Sequence, residues 1–210
     1  DSQPTLRLYH SFDHEMDRAD FASSPVTIRR TPELTFHHPG VFGKAVAFPS
    51  GASDASIRYD FEPPPEATGW TLAFFNCLVD KEAMSTPDRP FLRLLDQKGK
   101  LLLTMDISGL VRIYDDTGSS KDAFDCFDAI YWIGGENIHL ALVYDPDGAE
   151  GAVPRGKLTA YWSARPYGCA YVDLGDRQPA SLVLGGENVG GAVDELVLFD
   201  GVAPHRLIYA

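Results

Sequence analysis

Apolar and polar residues alternate along this chain far more often than they recur at helical spacing. Within residues 56–61, Ile57, Tyr59 and Phe61 take every second position, the period of a half-buried strand. The same reading predicts strands over residues 6–12, 26–29, 44–48, 91–96, 100–106 and 110–114. Further along it predicts them over 138–144, 157–163, 169–173, 181–184 and 192–199. Trp70–Val79 is apolar almost throughout, which predicts a strand buried on both faces. Between these runs lies turn chemistry. Pro63-Pro64-Pro65 has no place in a central strand. Gln97-Lys98-Gly99 reads as a tight turn, and Asp145-Pro146-Asp147-Gly148 ends a strand. Residues 13–20, 36–43 and 80–90 read as loops, 115–128 carries no assignable period, and 203–208 predicts a short turn or helix. Roughly a dozen short strands predict an all-β, two-sheet sandwich. Helix is expected under about 10%, against a typical third of residues. No break in composition divides residues 1–210, so one domain is expected.

Composition sharpens this picture. A chain of 210 residues buries roughly 70% of its unfolded surface without staples. The net charge of −12 and pI of about 4.8 argue against nucleic acid and anionic membranes as partners. Neutral glycans, cations and basic surfaces remain. Cys77, Cys126 and Cys169 are an odd number, so at least one thiol stays outside any internal disulfide. No Cys-x-x-Cys spacing points to zinc. No apolar run approaches the ~18 residues of a membrane span, and no signal-peptide pattern occurs, so membrane insertion is not expected. A chain starting at Asp1 reads as processed or trimmed.

Two local patterns stand out. IGGEN at 133–137 returns as LGGEN at 184–188. Turn chemistry accounts for the recurrence; the alternative is that two loops present Glu136 and Glu187 to one ligand. Secondly, Asp194 and Glu195 sit among apolar residues of a predicted strand. A buried carboxylate is costly unless it accepts hydrogen bonds or meets a cation.

Several blocks, in order, resemble laminin-G-like (LamG-type) domains of the concanavalin A-like jelly-roll superfamily. They are LYHSFD at 8–13, VFGKAVAF at 41–48, WTLAFF at 70–75, IHLALVYD at 138–145 with GKLTAYW at 156–162, and VDELVLFDGVAP at 193–204. One departure is Asn137-Ile138-His139, where such families usually carry Trp just before the His. The resemblance implies a two-sheet antiparallel jelly roll whose first and last strands are neighbours. It also implies a structural Ca2+ site, with Asp13, Asp194 and the Gly43 carbonyl as ligands. If Leu196 and Leu198 face the core, period 2 places Asp194 on that face too. The competing reading is that Asp194 accepts backbone N–H groups from a neighbouring turn.

Hydrolases on related folds carry Glu-x-Asp-x-x-Glu on a strand. Here Glu15-Met16-Asp17-Arg18-Ala19-Asp20 ends in Asp and falls in a polar turn. A glycosidic pair needs two rigidly spaced carboxylates, so no catalytic residue is assigned. His37 and His38 are adjacent, and neighbouring strand residues point oppositely, so a shared metal is not expected. Aromatic faces against sugar C–H faces make Tyr131, Trp132, Tyr161 and Trp162 the candidate ligand-binding residues, with Tyr167 nearby. The resulting expectation is a non-catalytic extracellular recognition module for a glycan or an extracellular protein. It would belong to a larger secreted, cell-surface or periplasmic protein. A polysaccharide hydrolase or lyase on the same fold, and a structural spacer, are the alternatives.

Overall fold

The computed structural model describes residues 3–37, 40–49, 51, 54–62, 69–79, 90–106, 109–125, 137–148, 151, 154–163, 165–186 and 189–204. Among them there is no helix, and the strands form two antiparallel sheets. The first sheet is built on β7 (Trp70–Val79) and β16 (Gly191–Asp200). Beyond β16 come β1 (Thr5–His10) and β2 (Phe21–Ala22). On the other side of β7 lie β12 (Ile138–Asp145), β13 (Lys157–Trp162) and β14 (Arg165–Tyr171). β5 (Ala45–Phe48) pairs with β16, and β4 (Thr35–His37) pairs with β5, which makes nine strands. The second sheet has seven: β11 (Ser120–Asp125), β10 (Leu110–Tyr114), β9 (Leu101–Asp106), β8 (Pro90–Asp96), β15 (Pro179–Gly186), β6 (Ala55–Phe61) and β3 (Val26–Arg30), in that order.

The alternation seen in the sequence sets the core. In β6, Ala55, Ile57, Tyr59 and Phe61 are buried, while Ser56, Arg58 and Asp60 face outward. Leu92 and Leu94, Leu103 and Met105, Val111 and Ile113, and Leu182 and Leu184 repeat this on the neighbouring strands. They meet Leu72, Phe74, Leu140, Leu142, Leu196 and Leu198 from the nine-stranded sheet. β7 is buried on both faces over Trp70–Phe74, as its unbroken apolar run predicts. Its outer face carries small residues: Ala73, with Ala141 and Val143 beside it, packs under Ala203. The end of β16 turns over that face. The Ala203 N–H donates to Thr71 Oγ1 at 2.9 Å, and the Gly201 N–H donates to the Gly69 carbonyl at 2.6 Å.

Three elements, β2, β4 and β11, were not legible as strands, and the bounds of β14 were misplaced. β2 follows the expected 13–20 loop, β4 runs into the start of the expected 36–43 loop, and β11 forms inside the aperiodic 115–128 stretch. β14 begins at Arg165, ahead of the expected Cys169 start. As an edge strand it needs no apolar face, and its residues are largely exposed.

At one end of the sandwich a single guanidinium holds three connections together. Arg177, buried between β14 and β15, donates to Asp96 Oδ2 at 2.8 Å, to the Tyr114 carbonyl at 2.7 Å and to the Leu101 carbonyl at 2.6 Å. Asp96 Oδ1 accepts the Lys98 and Lys100 N–H groups, both at 2.9 Å, which shapes the β8–β9 turn around Gly99 at φ 73°. Burial opposes the Asp96 charge. Arg177 and the two amides outweigh it and hold the carboxyl below its ordinary value.

Candidate functional site

The last strand, the first strand and the loop before β5 converge on two carboxylates. Asp194 is fully buried. Its Oδ2 accepts the Val41 N–H at 2.7 Å and the Phe42 N–H at 3.3 Å, and its Oδ1 accepts the Glu195 N–H at 2.9 Å. Asp13 Oδ1 accepts the Lys44 N–H at 2.8 Å. Between these contacts the loop closes on itself, the Gly40 N–H donating to the Gly43 carbonyl at 2.8 Å. The two glycines permit this wrapping. A Cβ on Gly43, at φ +150°, would lie 2.0 Å from Asp13 Oδ1, and one on Gly40 would lie 2.7 Å from Asp194 Oδ2. Asp13 reaches the loop because the chain turns sharply at Phe12, a buried residue at φ 64° stacked on His10 with ring centroids 4.1 Å apart.

The structure thus brings Asp13, Gly43 and Asp194 together, but by a different route from strict alternation. A β-bulge interrupts β16 between Asp194 and Val197, with Glu195 at φ 52°. Asp194 therefore pairs with Phe75 and Val197 with Ala73, both on the outer face of the nine-stranded sheet. Leu196 and Leu198 keep the inner face. The expected alignment of Asp194 with those leucines fails because the bulge inserts a residue. Glu195, displaced by the same bulge, accepts the Tyr9 hydroxyl at 2.6 Å. Burial raises the Asp194 carboxyl above its ordinary value, against the pull of three amides and with the added repulsion of Asp13. Glu195 is raised as well, by burial first and then by Asp194, Asp13 and Asp20, against the Tyr9 hydrogen bond.

Calcium takes six to eight oxygens; here both Asp194 oxygens, Asp13 Oδ1 and the Gly43 carbonyl each accept a backbone N–H. No group of three His, Cys, Asp or Glu side chains among the described residues is arranged to hold a metal. The arrangement ties first strand, loop and last strand together through backbone hydrogen bonds.

The candidate rings do not form one strip. Tyr161 pairs with Ala141 and packs on the outer alanine cluster. Trp162 pairs with Leu140 and packs against the inter-sheet core. At the rim, Trp162 meets the half-exposed Tyr167 edge-on, with ring centroids 5.8 Å apart. Tyr171, which the sequence did not single out, is exposed on the same edge strand, with Lys157 Nζ 6.0 Å from its ring centre. Its place two residues after Cys169 in an alternating strand was the available signal. Tyr131, Trp132, Glu136, Glu187, Cys126 and His38 lie outside the described residues. The His37 backbone lies in β4, and Cys169 is an exposed free thiol.

The acidic turn is engaged elsewhere. Asp17 pairs with Arg30 at 2.8 Å, Asp20 Oδ2 accepts the Ser11 N–H at 2.7 Å, and the Glu15 carbonyl contacts His10 Nε2 at 2.7 Å. On the outer face, His139 lies edge-on to Phe75 with centroids 4.7 Å apart, and burial lowers its pKa to about 4. The folded protein therefore binds this proton less readily than the unfolded chain. The His139 contribution to stability is present above pH 6.5 and is lost as pH falls from 6.5 toward 4. Within that window each tenfold rise in proton concentration costs up to about 1.4 kcal/mol. Urea titrations across this window are expected to show falling stability, with a shallower fall in His139→Phe.

No protein-family model matches the sequence, and no curated protein sequence matches it either. Solved structures do match. The binding domain of Paraclostridial Mosquitocidal Protein 1 superposes with a TM-score of 0.73 at 10% identity, over 97% of this chain and 51% of that one. This chain thus spans about half of that domain. Domain 4 of AbnA, a GH43 extracellular arabinanase from Geobacillus stearothermophilus solved with arabinotriose, superposes with a TM-score of 0.67 at 16% identity, over 99% of this chain and 98% of that one. Arcelin-5, a lectin-like defense protein from Phaseolus vulgaris, follows at 0.56 and 9%, over 96% and 100%. At these identities the likeness establishes the fold alone, a two-sheet antiparallel β-sandwich.

Proposed function

We propose that this chain is a non-catalytic recognition module for a glycan, a LamG-like jelly roll within a larger extracellular, cell-surface or periplasmic protein. The observation that carries the reading is the end-to-end match with domain 4 of AbnA, a structure solved with arabinotriose. Two features of this chain support it. The acidic turn offers no carboxylate pair free for hydrolysis, because Asp17 and Asp20 are committed to Arg30 and Ser11. The edge strand β14 exposes Tyr167 and Tyr171, and exposed tyrosines are efficient contact residues.

Screening the purified protein on a glycan array tests this. Selective retention of one glycan class is expected, and Tyr167→Ala is expected to weaken it roughly tenfold, as at a binding hot spot. Retention of no glycan would reject the proposal.

A further inference from the structure

A line of arginines crosses the outer face of the seven-stranded sheet. Strand pairing places Arg29 opposite Arg58, Arg58 opposite Val183, and Val183 opposite Arg93. Thr104 follows opposite Arg93, and Arg112 opposite Thr104. The flanking residues of each strand, among them Tyr59, Leu182, Leu94, Leu103 and Ile113, belong to the core. All four guanidinium-bearing residues therefore stand on the opposite, outward face. In a chain of net charge −12, this is a local basic line that the total conceals.

The spacing is regular over three of the four. Arg58, Arg93 and Arg112 stand on every second strand, so at about 4.8 Å per strand their anchors lie about 10 Å apart. That is close to the length of two linked pyranose rings. Carboxylates offset part of the line. Asp60 lies 2.7 Å from Arg58 and 3.5 Å from Arg29, and Asp106 lies 3.2 Å from Arg112. Arg93, in the middle, has no carboxylate within ion-pair distance among the described residues, and Asp54 attracts it only from farther off. Its Nη2 donates to the Gly185 carbonyl at 2.8 Å, and its buried Nε has no acceptor. Beside Arg58 the same face opens into a groove of about 450 Å³, lined by Thr27, Gln97 and Ser181 and by the carboxylates Asp60, Glu62 and Asp96.

We infer that this face binds a polyanionic glycan bearing a carboxylate or sulfate on alternate sugars, laid across the strands with its charges on Arg58, Arg93 and Arg112. The inference rests on the glycan-recognition reading, names a ligand class for it and adds a site separate from the β14 tyrosines. Arginine suits it because the planar guanidinium takes carboxylate or sulfate oxygens two at a time.

Hyaluronan oligosaccharide, neutral arabinan and a single-stranded oligonucleotide are the probes, titrated against the intact protein. Hyaluronan is expected to bind at low salt and to weaken at least about tenfold as salt rises from about 0.05 to about 0.5 M. Arg58→Gln with Arg93→Gln is expected to weaken it a further tenfold or more, about 1.4 kcal/mol per decade. Arg29→Gln, at the exposed end, removes less, and Arg155→Gln, off this face, changes nothing. Arg29→Gln and the single Arg58→Gln keep the test valid should the Arg93 variant unfold, as melting curves would reveal. Absence of hyaluronan binding, indifference to these variants, or equal affinity for the oligonucleotide would each overturn the inference. Arabinan binding without hyaluronan binding would sink the arginine line and leave glycan recognition standing. Binding of no glycan would sink both.

Discussion

Replacing Asp194 by alanine is expected to destabilise the protein by about 3 kcal/mol or more, with or without calcium. The carboxylate is fully buried and accepts the N–H groups of Val41, Phe42 and Glu195. Truncation leaves three donors without their acceptor, and each buried unsatisfied group costs about 1–3 kcal/mol. Solvent entry at the loop relieves part of this. Asp194→Asn is expected to fall between, because one acceptor oxygen survives while the amide NH2 opposes an N–H donor. Gly43→Ala should fail similarly from the other side, since its Cβ would collide with Asp13 Oδ1. Urea denaturation of each variant, in calcium and in chelator, measures the effect. A loss confined to the calcium condition would show that an ion, rather than the backbone contacts, supplies the stability.

Arg177→Ala is expected to cost about 3–5 kcal/mol, the loss seen when one partner of a buried ion pair is removed. Asp96 would stay buried with only the Lys98 and Lys100 amides, and the Leu101 and Tyr114 carbonyls would lose their donor. The pH dependence separates this from simple loss of packing. In the native protein the Asp96 carboxyl is held below its ordinary value, so its contribution is present above the unfolded pKa and lost as pH falls through the folded one. Without Arg177, burial acts more nearly alone and the acid limb should flatten. An Arg177→Ala chain of unchanged stability would contradict the end-pinning role.

Much of the architecture was legible because burial enforces it. Ile57, Tyr59 and Phe61 announce their face by alternation, and β7 announces burial on both sides by its unbroken apolar run. The meeting of Asp13, Gly43 and Asp194 was legible through the resemblance of the terminal strands. Its hydrogen-bonded chemistry was legible too, as the reading in which Asp194 accepts backbone N–H groups from a neighbouring turn, here those of Val41 and Phe42. The face was not, because a bulge at Glu195 moves Asp194 to the outer side of the sheet, and alternation carries no sign of a bulge. β14 was only partly legible, since an edge strand has little to bury. The arginine line was invisible for a different reason. Arg29, Arg58, Arg93 and Arg112 are 83 positions apart end to end, and only the strand register places them on one row.

Recognition without chemistry is the central claim, and one titration tests it most directly. The protein is incubated at high concentration with a polysaccharide retained on the array, and bound protein and newly formed reducing ends are measured in the same samples. Saturable binding with no increase in reducing ends over long incubation is the predicted result. Reducing ends that accumulate with the native protein and vanish in Glu15→Gln would contradict it and make the chain an enzyme.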